Sequence, residues 1–400
     1  MKVLQVNCVY KTGSTGKIVY DIHSVLLAKG IESVVCYGRG AKTTDHNVYK
    51  TCSELYSKFN NLMSRIRGIM YGGLFFSTKK LISVIKKENP DVVHLHCING
   101  YFVNIYKIIS FLKNSGIKTV LTLHAEFMHT ANCGYAIDCE KWKSGCGNCP
   151  RFKRETGSLI FDRTHKSWLK MKEAFDGFDN LVVTSVSPWL MERAKQSPIL
   201  ADKKHVVVLN GLDTTVFKVY DTQDLRDKHG VNGERVVFHA TPSFNNDPNH
   251  IKGGYYILKL AEMLKDQNIK FIVAGSYDES IEIPDNMIML GRVNDQRELA
   301  RYYSMADATV IASQRETFSM IVAESLSCGT PIVGFKAGAP EQITIPEYSS
   351  FVEYGNVEKF KDALDSILKR DYEKTEISGN AHLKYSKEKM LEGYLKEYNN

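Results

Sequence analysis

Residues 308–335 read ATVIASQRETFSMIVAESLSCGTPIVGF. A strand, a loop, a helix, a stop and a second strand follow one another here. The helix is expected over Phe318–Cys328, where Phe318, Ile321, Val322 and Leu326 recur at helical spacing and Gly329 and Pro331 end it. The flanking runs are apolar at consecutive positions instead of alternating, as in strands covered on both faces. A strand, a covering helix and a parallel return make one right-handed crossover unit.

The same scheme continues in both directions. Upstream lie RVVFHAT (235–241), KFIVAGS (270–276) and MIMLGRV (287–293), with helices expected over Gly254–Lys265 and Asp295–Met305. The first half offers KVLQVN (2–7), ESVVCYG (32–38), DVVHLHC (91–97), KTVLTLH (118–124) and NLVVTSVS (180–187), with a helix over Gly16–Gly30. The fold class is therefore α/β, with two Rossmann-like doubly wound parallel-sheet domains facing across a cleft. Their limits are expected at 1–200, with a Cys-rich insertion at 127–150, and at 201–382. A helix in 383–400 is expected to pack back on the first domain. A ligand is expected in the cleft, at the carboxyl ends of the strands.

Composition narrows the functions. With 400 residues, 43% hydrophobic and 24% charged, the chain is neither collagenous, disordered nor a small disulfide-stapled domain. A net charge of +7 is too mild to imply nucleic acid, and none is expected as a partner. The start resembles no secretory leader, and no window reaches the ~18 apolar residues of a membrane span, so a soluble, cytoplasmic protein is expected. One segment departs from the mean. Residues 50–90 hold eight basic against two acidic residues, and RIRGIMYGGLFFSTKK (65–80) mixes bases with Ile, Met, Leu and Phe. Such a surface would adhere to anionic lipid, at the inner face of the cytoplasmic membrane.

Glu316 and Glu324 stand eight positions apart, which on a helix is about 12 Å of rise. They cannot share a proton but could grip separate parts of one elongated ligand. Between them the amides of Phe318, Ser319 and Met320 are expected unpaired at a helix start, an anion site. The loop KTGSTGKI (11–18) lacks the first Gly and the final Ser/Thr of a P-loop. What remains is a turn at Gly13 and Gly16 that lets backbone approach a ligand. His124 ends a strand where it could hydrogen-bond a sugar; His94 and His96 are expected on opposite faces of theirs. Cys133, Cys139, Cys146 and Cys149 crowd into one connection. They read as ligands of a structural zinc, with unligated thiols and disulfides as the other readings.

The pair of acids in RETFSMIVAES, with CGTPIVGFKAGAPEQI after it, resembles glycosyltransferase family 4, retaining enzymes of GT-B fold from bacterial polysaccharide biosynthesis. NGLDTTVF (210–217), HIKGG (250–254) and GRV (291–293) are similar to further elements of that family, in the same order. The resemblance implies that Glu316 and His124 lie near a donor sugar, Glu324 at a ribose, Lys252 at a diphosphate, and Arg292 and Val293 near a nucleotide base. Gly13 and Gly16 would face the donor phosphate or the acceptor. It also implies a nucleotide-diphosphate sugar as donor, a saccharide or lipid-linked saccharide as acceptor, retention of configuration, and no catalytic cofactor. Ser243 stands where many members carry an Arg. A non-catalytic binding protein of the same fold is the alternative reading.

Overall fold

The computed structural model describes all residues except Leu74 and Phe75, so two positions of the basic apolar stretch at 65–80 lie outside the described residues. The chain divides into two compact units, Met1–Leu209 with Met390–Asn400, and Asn210–Lys389.

The first unit contains strands β1 (Lys2–Asn7), β2 (Glu32–Tyr37), β3 (Val48–Lys50), β4 (Val92–Leu95), β5 (Lys118–Leu123), β6 (Leu181–Ser185) and β7 (Lys204–Val207). They form one sheet in the order β3-β2-β1-β4-β5-β6-β7, every neighbour parallel. Strand order reverses between β1 and β4. The second unit contains β8 (Arg235–Phe244), β9 (Ile269–Tyr277), β10 (Met287–Gly291), β11 (Ala308–Ile311), β12 (Ile332–Phe335) and β13 (Ser349–Val352). Their order is β10-β9-β8-β11-β12-β13, again all parallel, with the reversal between β8 and β11. In open parallel sheets a ligand site forms beyond the carboxyl ends at such a reversal.

The apolar stripes explain the covering. The helix Gly13–Ala28 turns Ile18, Ile22, Val25 and Leu26 onto Val3, Val92 and Val120 of the first sheet. Met390, Leu391, Tyr394 and Tyr398 of the last helix, Lys387–Asn399, join the same core. Each such buried side chain contributes about 1.5–3 kcal/mol. In the second unit Ile257, Leu260, Phe360 and Leu364 pack on Val237, Phe271, Val273 and Val310. No helix among the described residues is long and apolar enough to cross a membrane.

A polar network inside the first core fixes the last helix. His94 Nδ1 meets the Tyr398 hydroxyl at 2.6 Å and His94 Nε2 meets Thr122 Oγ1 at 2.7 Å. Thr122 Oγ1 also donates to the Tyr394 hydroxyl oxygen at 3.2 Å. Burial holds His94 neutral, its pKa well below the usual range. Tyr398→Phe strands one buried ring nitrogen, and urea denaturation is expected to show a loss of about 1–3 kcal/mol. An unchanged midpoint would mean that the network does not hold this helix.

Candidate active site

The reversal between β8 and β11 brings two distant segments into contact. Gly253 has φ +69°, and a Cβ there would lie 2.0 Å from the Ala312 carbonyl oxygen. Only glycine lets the 250–254 loop lie flat on the end of β11. Alongside, Gln314 N donates to the Ile251 carbonyl at 2.8 Å. The consequence is an ion pair between residues sixty-four apart: Lys252 Nζ donates to Glu316 Oε1 at 2.6 Å. Glu316 is 8% exposed.

Glu316 is held by backbone on both sides. Its N–H donates to the Ala337 carbonyl at 3.0 Å and its carbonyl accepts from Ala339 N at 3.3 Å. That loop is tied in turn by Glu341, whose carboxylate accepts from the amides of Ala337 and Gly338, each at 3.0 Å. Glu316 thus precedes the helix, as expected, while Glu324 lies within it. The helix begins two residues later than expected, at Met320–Ser327. Phe318 is in the core, 3% exposed, and Ser319 turns the chain at φ 76°. A serine in that region costs about 1–3 kcal/mol and persists where its surroundings impose it. The amides left without helical partners are therefore those of Ser319, Met320 and Ile321. The buried Ser319 hydroxyl has no partner among the described residues.

Glu324 Oε2 accepts from the Tyr303 hydroxyl at 3.0 Å. Burial and the neighbouring Glu324 charge keep that phenol well above its usual pKa, so it stays a hydrogen-bond donor. His239 on β8 donates Nδ1–H to the Val310 carbonyl at 2.9 Å. Burial depresses its pKa to about 4, and its Nε2 has no partner among the described residues. Arg292 is exposed and Val293 half-buried just past β10, at the same carboxyl edge. Ser243, where an Arg was absent, is exposed. Tyr303, Glu341 and His239 were not singled out in the sequence.

The first unit has its own edge. Asn7 Oδ1 accepts from Cys97 N at 3.0 Å and Asn7 Nδ2 donates to the Val9 carbonyl at 2.7 Å, joining the ends of β1 and β4. The 11–16 turn closes through Lys11 N to the Gly16 carbonyl at 3.0 Å. A Cβ on Gly16 would press on Val9 at 3.1 Å, whereas Gly13, at φ +65°, meets nothing within 4 Å. His124 follows β5 and its Nε2 meets His96 Nδ1 at 3.2 Å. Burial lowers the His124 pKa to about 4. The expectation that His94 and His96 take opposite faces fails: their rings lie 3.9 Å apart, since residues two apart in a strand share a face.

Among the described residues no three His, Cys, Asp or Glu side chains are arranged to hold a metal ion; Cys133, Cys139, Cys146 and Cys149 are free thiols. Cys133 packs with Ala136 and Trp142, and burial pushes the Cys146 thiol up to about 11. A buried carboxylate helps to order this connection. Glu126, 0% exposed, accepts from Ala136 N at 2.7 Å and from Arg193 Nε at 2.5 Å. The Arg193 guanidinium lies 5.0 Å from the Trp142 ring and 5.1 Å from that of Trp189. Arg193→Ala would strand the carboxylate, and a loss of about 3–5 kcal/mol is expected in thermal or urea unfolding. A loss below about 1 kcal/mol, within the range of an exposed pair, would contradict that account.

Two all-parallel sheets of these strand orders match the GT-B fold. Solved structures of low identity share that fold. Sucrose-phosphate synthase of Thermosynechococcus elongatus superposes with TM-score 0.68 at 14% identity, covering 100% of this chain and 98% of that one. Anabaena HepE in complex with UDP superposes with TM-score 0.66 at 13% identity, covering both chains fully. The chain belongs to glycosyltransferase family 4: the Glycosyltransferase Family 4 profile matches residues 15–216, and the profile for glycosyl transferases group 1 matches residues 222–384. The putative colanic acid biosynthesis glycosyl transferase WcaC of Escherichia coli is 24% identical across 100% of both chains.

Proposed function

We propose that this glycosyltransferase moves a sugar from a nucleotide-diphosphate donor to a saccharide or lipid-linked saccharide acceptor, with retention of configuration, in surface-polysaccharide assembly. The observation that carries the reading is the Lys252–Glu316 pair at 2.6 Å, at the strand ends where β8 and β11 diverge. Lys252, with the amides at the start of Met320–Ser327, receives the diphosphate. Glu316 takes sugar hydroxyls, and Glu324, oriented by Tyr303, takes the ribose hydroxyls. Arg292 and Val293 flank the base. In the first unit, His124 and the Gly13–Gly16 turn contact sugar or phosphate oxygens at their own sheet edge.

In the reaction, the bond from the anomeric carbon to the diphosphate oxygen breaks, and the acceptor oxygen bonds to that carbon on the same face. The acceptor's proton passes to a phosphate oxygen of the leaving group. Lys252 and the amides stabilise the charge that develops there, the largest catalytic contribution expected. The anomeric configuration of the product, read by proton NMR, tests this. A product of inverted configuration would remove the same-face step. The reading places the enzyme at the cytoplasmic face of the membrane, where a lipid-linked acceptor would be held.

A further inference from the structure

The helix Glu54–Arg67 sits on its unit the opposite way round from an ordinary surface helix. Its inward face is small and polar: Ser57, Asn60 and Ser64 are its buried residues. Ser57 Oγ donates to the Gly100 carbonyl and Asn60 Nδ2 to the Tyr101 carbonyl, both at 3.1 Å. The outward face carries Leu55, Phe59, Leu62 and Ile66, all exposed, Leu55 at 81%. Spacings of four, three and four residues put these four on one ridge, about 16 Å long. A globular helix ordinarily buries such a stripe. Here it is solvent-facing because hydrogen bonds, not apolar contacts, dock the other side.

Two neighbours extend the ridge. Leu159 N donates to the Arg65 carbonyl and Arg65 Nε donates to the Gly157 carbonyl, both at 3.0 Å. This seats exposed Leu159, Ile160 and Phe161 at the helix's end. Phe76, 72% exposed, stands 6.2 Å from the Tyr56 ring. Contiguous exposed apolar surface of this kind marks an interaction site. Its charge selects the partner. Lys58 and Arg65 are exposed along one flank of the ridge, while the helix's acid, Glu54, is engaged by Arg39 and Lys50.

We infer that this face docks on an anionic lipid surface, with the ridge in the headgroup–acyl boundary and the cations on lipid phosphates. The inference deepens the membrane reading above. Its test does not use the transfer reaction, so either can fail alone.

The test is co-sedimentation of the full chain with vesicles of phosphatidylcholine alone and of phosphatidylcholine mixed with phosphatidylglycerol. Binding is expected only to the mixed vesicles and is expected to weaken with salt. Lys58→Gln with Arg65→Gln should lower partitioning about thirtyfold, at ~1 kcal/mol per cation. Leu55→Ser with Leu62→Ser should abolish it while leaving the thermal midpoint unchanged, because both side chains are already exposed. Equal binding to neutral vesicles, or binding to neither, would overturn the inference. So would a shift of single-stranded RNA removed by the same variants, or a dimer that they dissociate.

Discussion

Lys252→Ala is expected to lower the turnover of sugar transfer by about 10²–10³-fold, the effect of deleting one preorganised donor at a developing anion. The geometry makes a second loss inseparable from the first. Lys252 Nζ is 2.6 Å from Glu316 Oε1, and the carboxylate it neutralises is 8% exposed. Without the ammonium that carboxylate has lost its cation, a cost of about 1–3 kcal/mol in stability. The thermal midpoint should therefore fall as well, and turnover has to be compared below both midpoints. Full turnover in a folded Lys252→Ala protein would remove the lysine from the chemistry.

Glu316→Gln separates the two partners, because it is expected to act on affinity in the other direction. The amide keeps the shape and the backbone bonds to Ala337 and Ala339 but frees Lys252 from its counter-ion. Nucleoside diphosphate should then bind at least as tightly as before, since the released ammonium has only the phosphate to meet. Turnover should still fall about 10²–10³-fold, because the charge facing the sugar is gone. The double variant should lose less than the two singles combined, as for any pair in direct contact. A Glu316→Gln enzyme with full turnover would place the sugar elsewhere.

The sheets were readable because their strands are covered on both faces, so that runs such as RVVFHA and KFIVAG stay apolar at every position. The helix that presents Glu324 was readable to within two residues. Its start was misplaced because Phe318 fits the apolar period, while Ser319 takes a left-handed backbone that no periodicity announces. The ion pair at the edge was not readable as a pair. Periodicity operates over one element, whereas Lys252 and Glu316 meet only because Gly253 lets one loop settle on the end of another strand. Glu341 and Tyr303 act on Glu316 and Glu324 in the same way, through tertiary contact. In the Cys-rich connection the buried carboxylate of Glu126 and the ring of Trp142 order the chain, contacts that no cysteine spacing announces. Residues 50–90 read as basic and 65–80 as their apolar part, so the ridge of Glu54–Arg67 was not legible: which face turns outward depends on two carbonyls, at Gly100 and Tyr101, that the sequence does not place.

The most direct measurement is a calorimetric titration of UDP, GDP and ADP into the wild-type protein and into Lys252→Ala. One nucleotide is expected to bind the wild type, and its affinity is expected to drop about tenfold to a hundredfold in the variant, the worth of one charged hydrogen bond to phosphate. Identical affinities in the two proteins would contradict the assignment of the β8–β11 edge as the donor site.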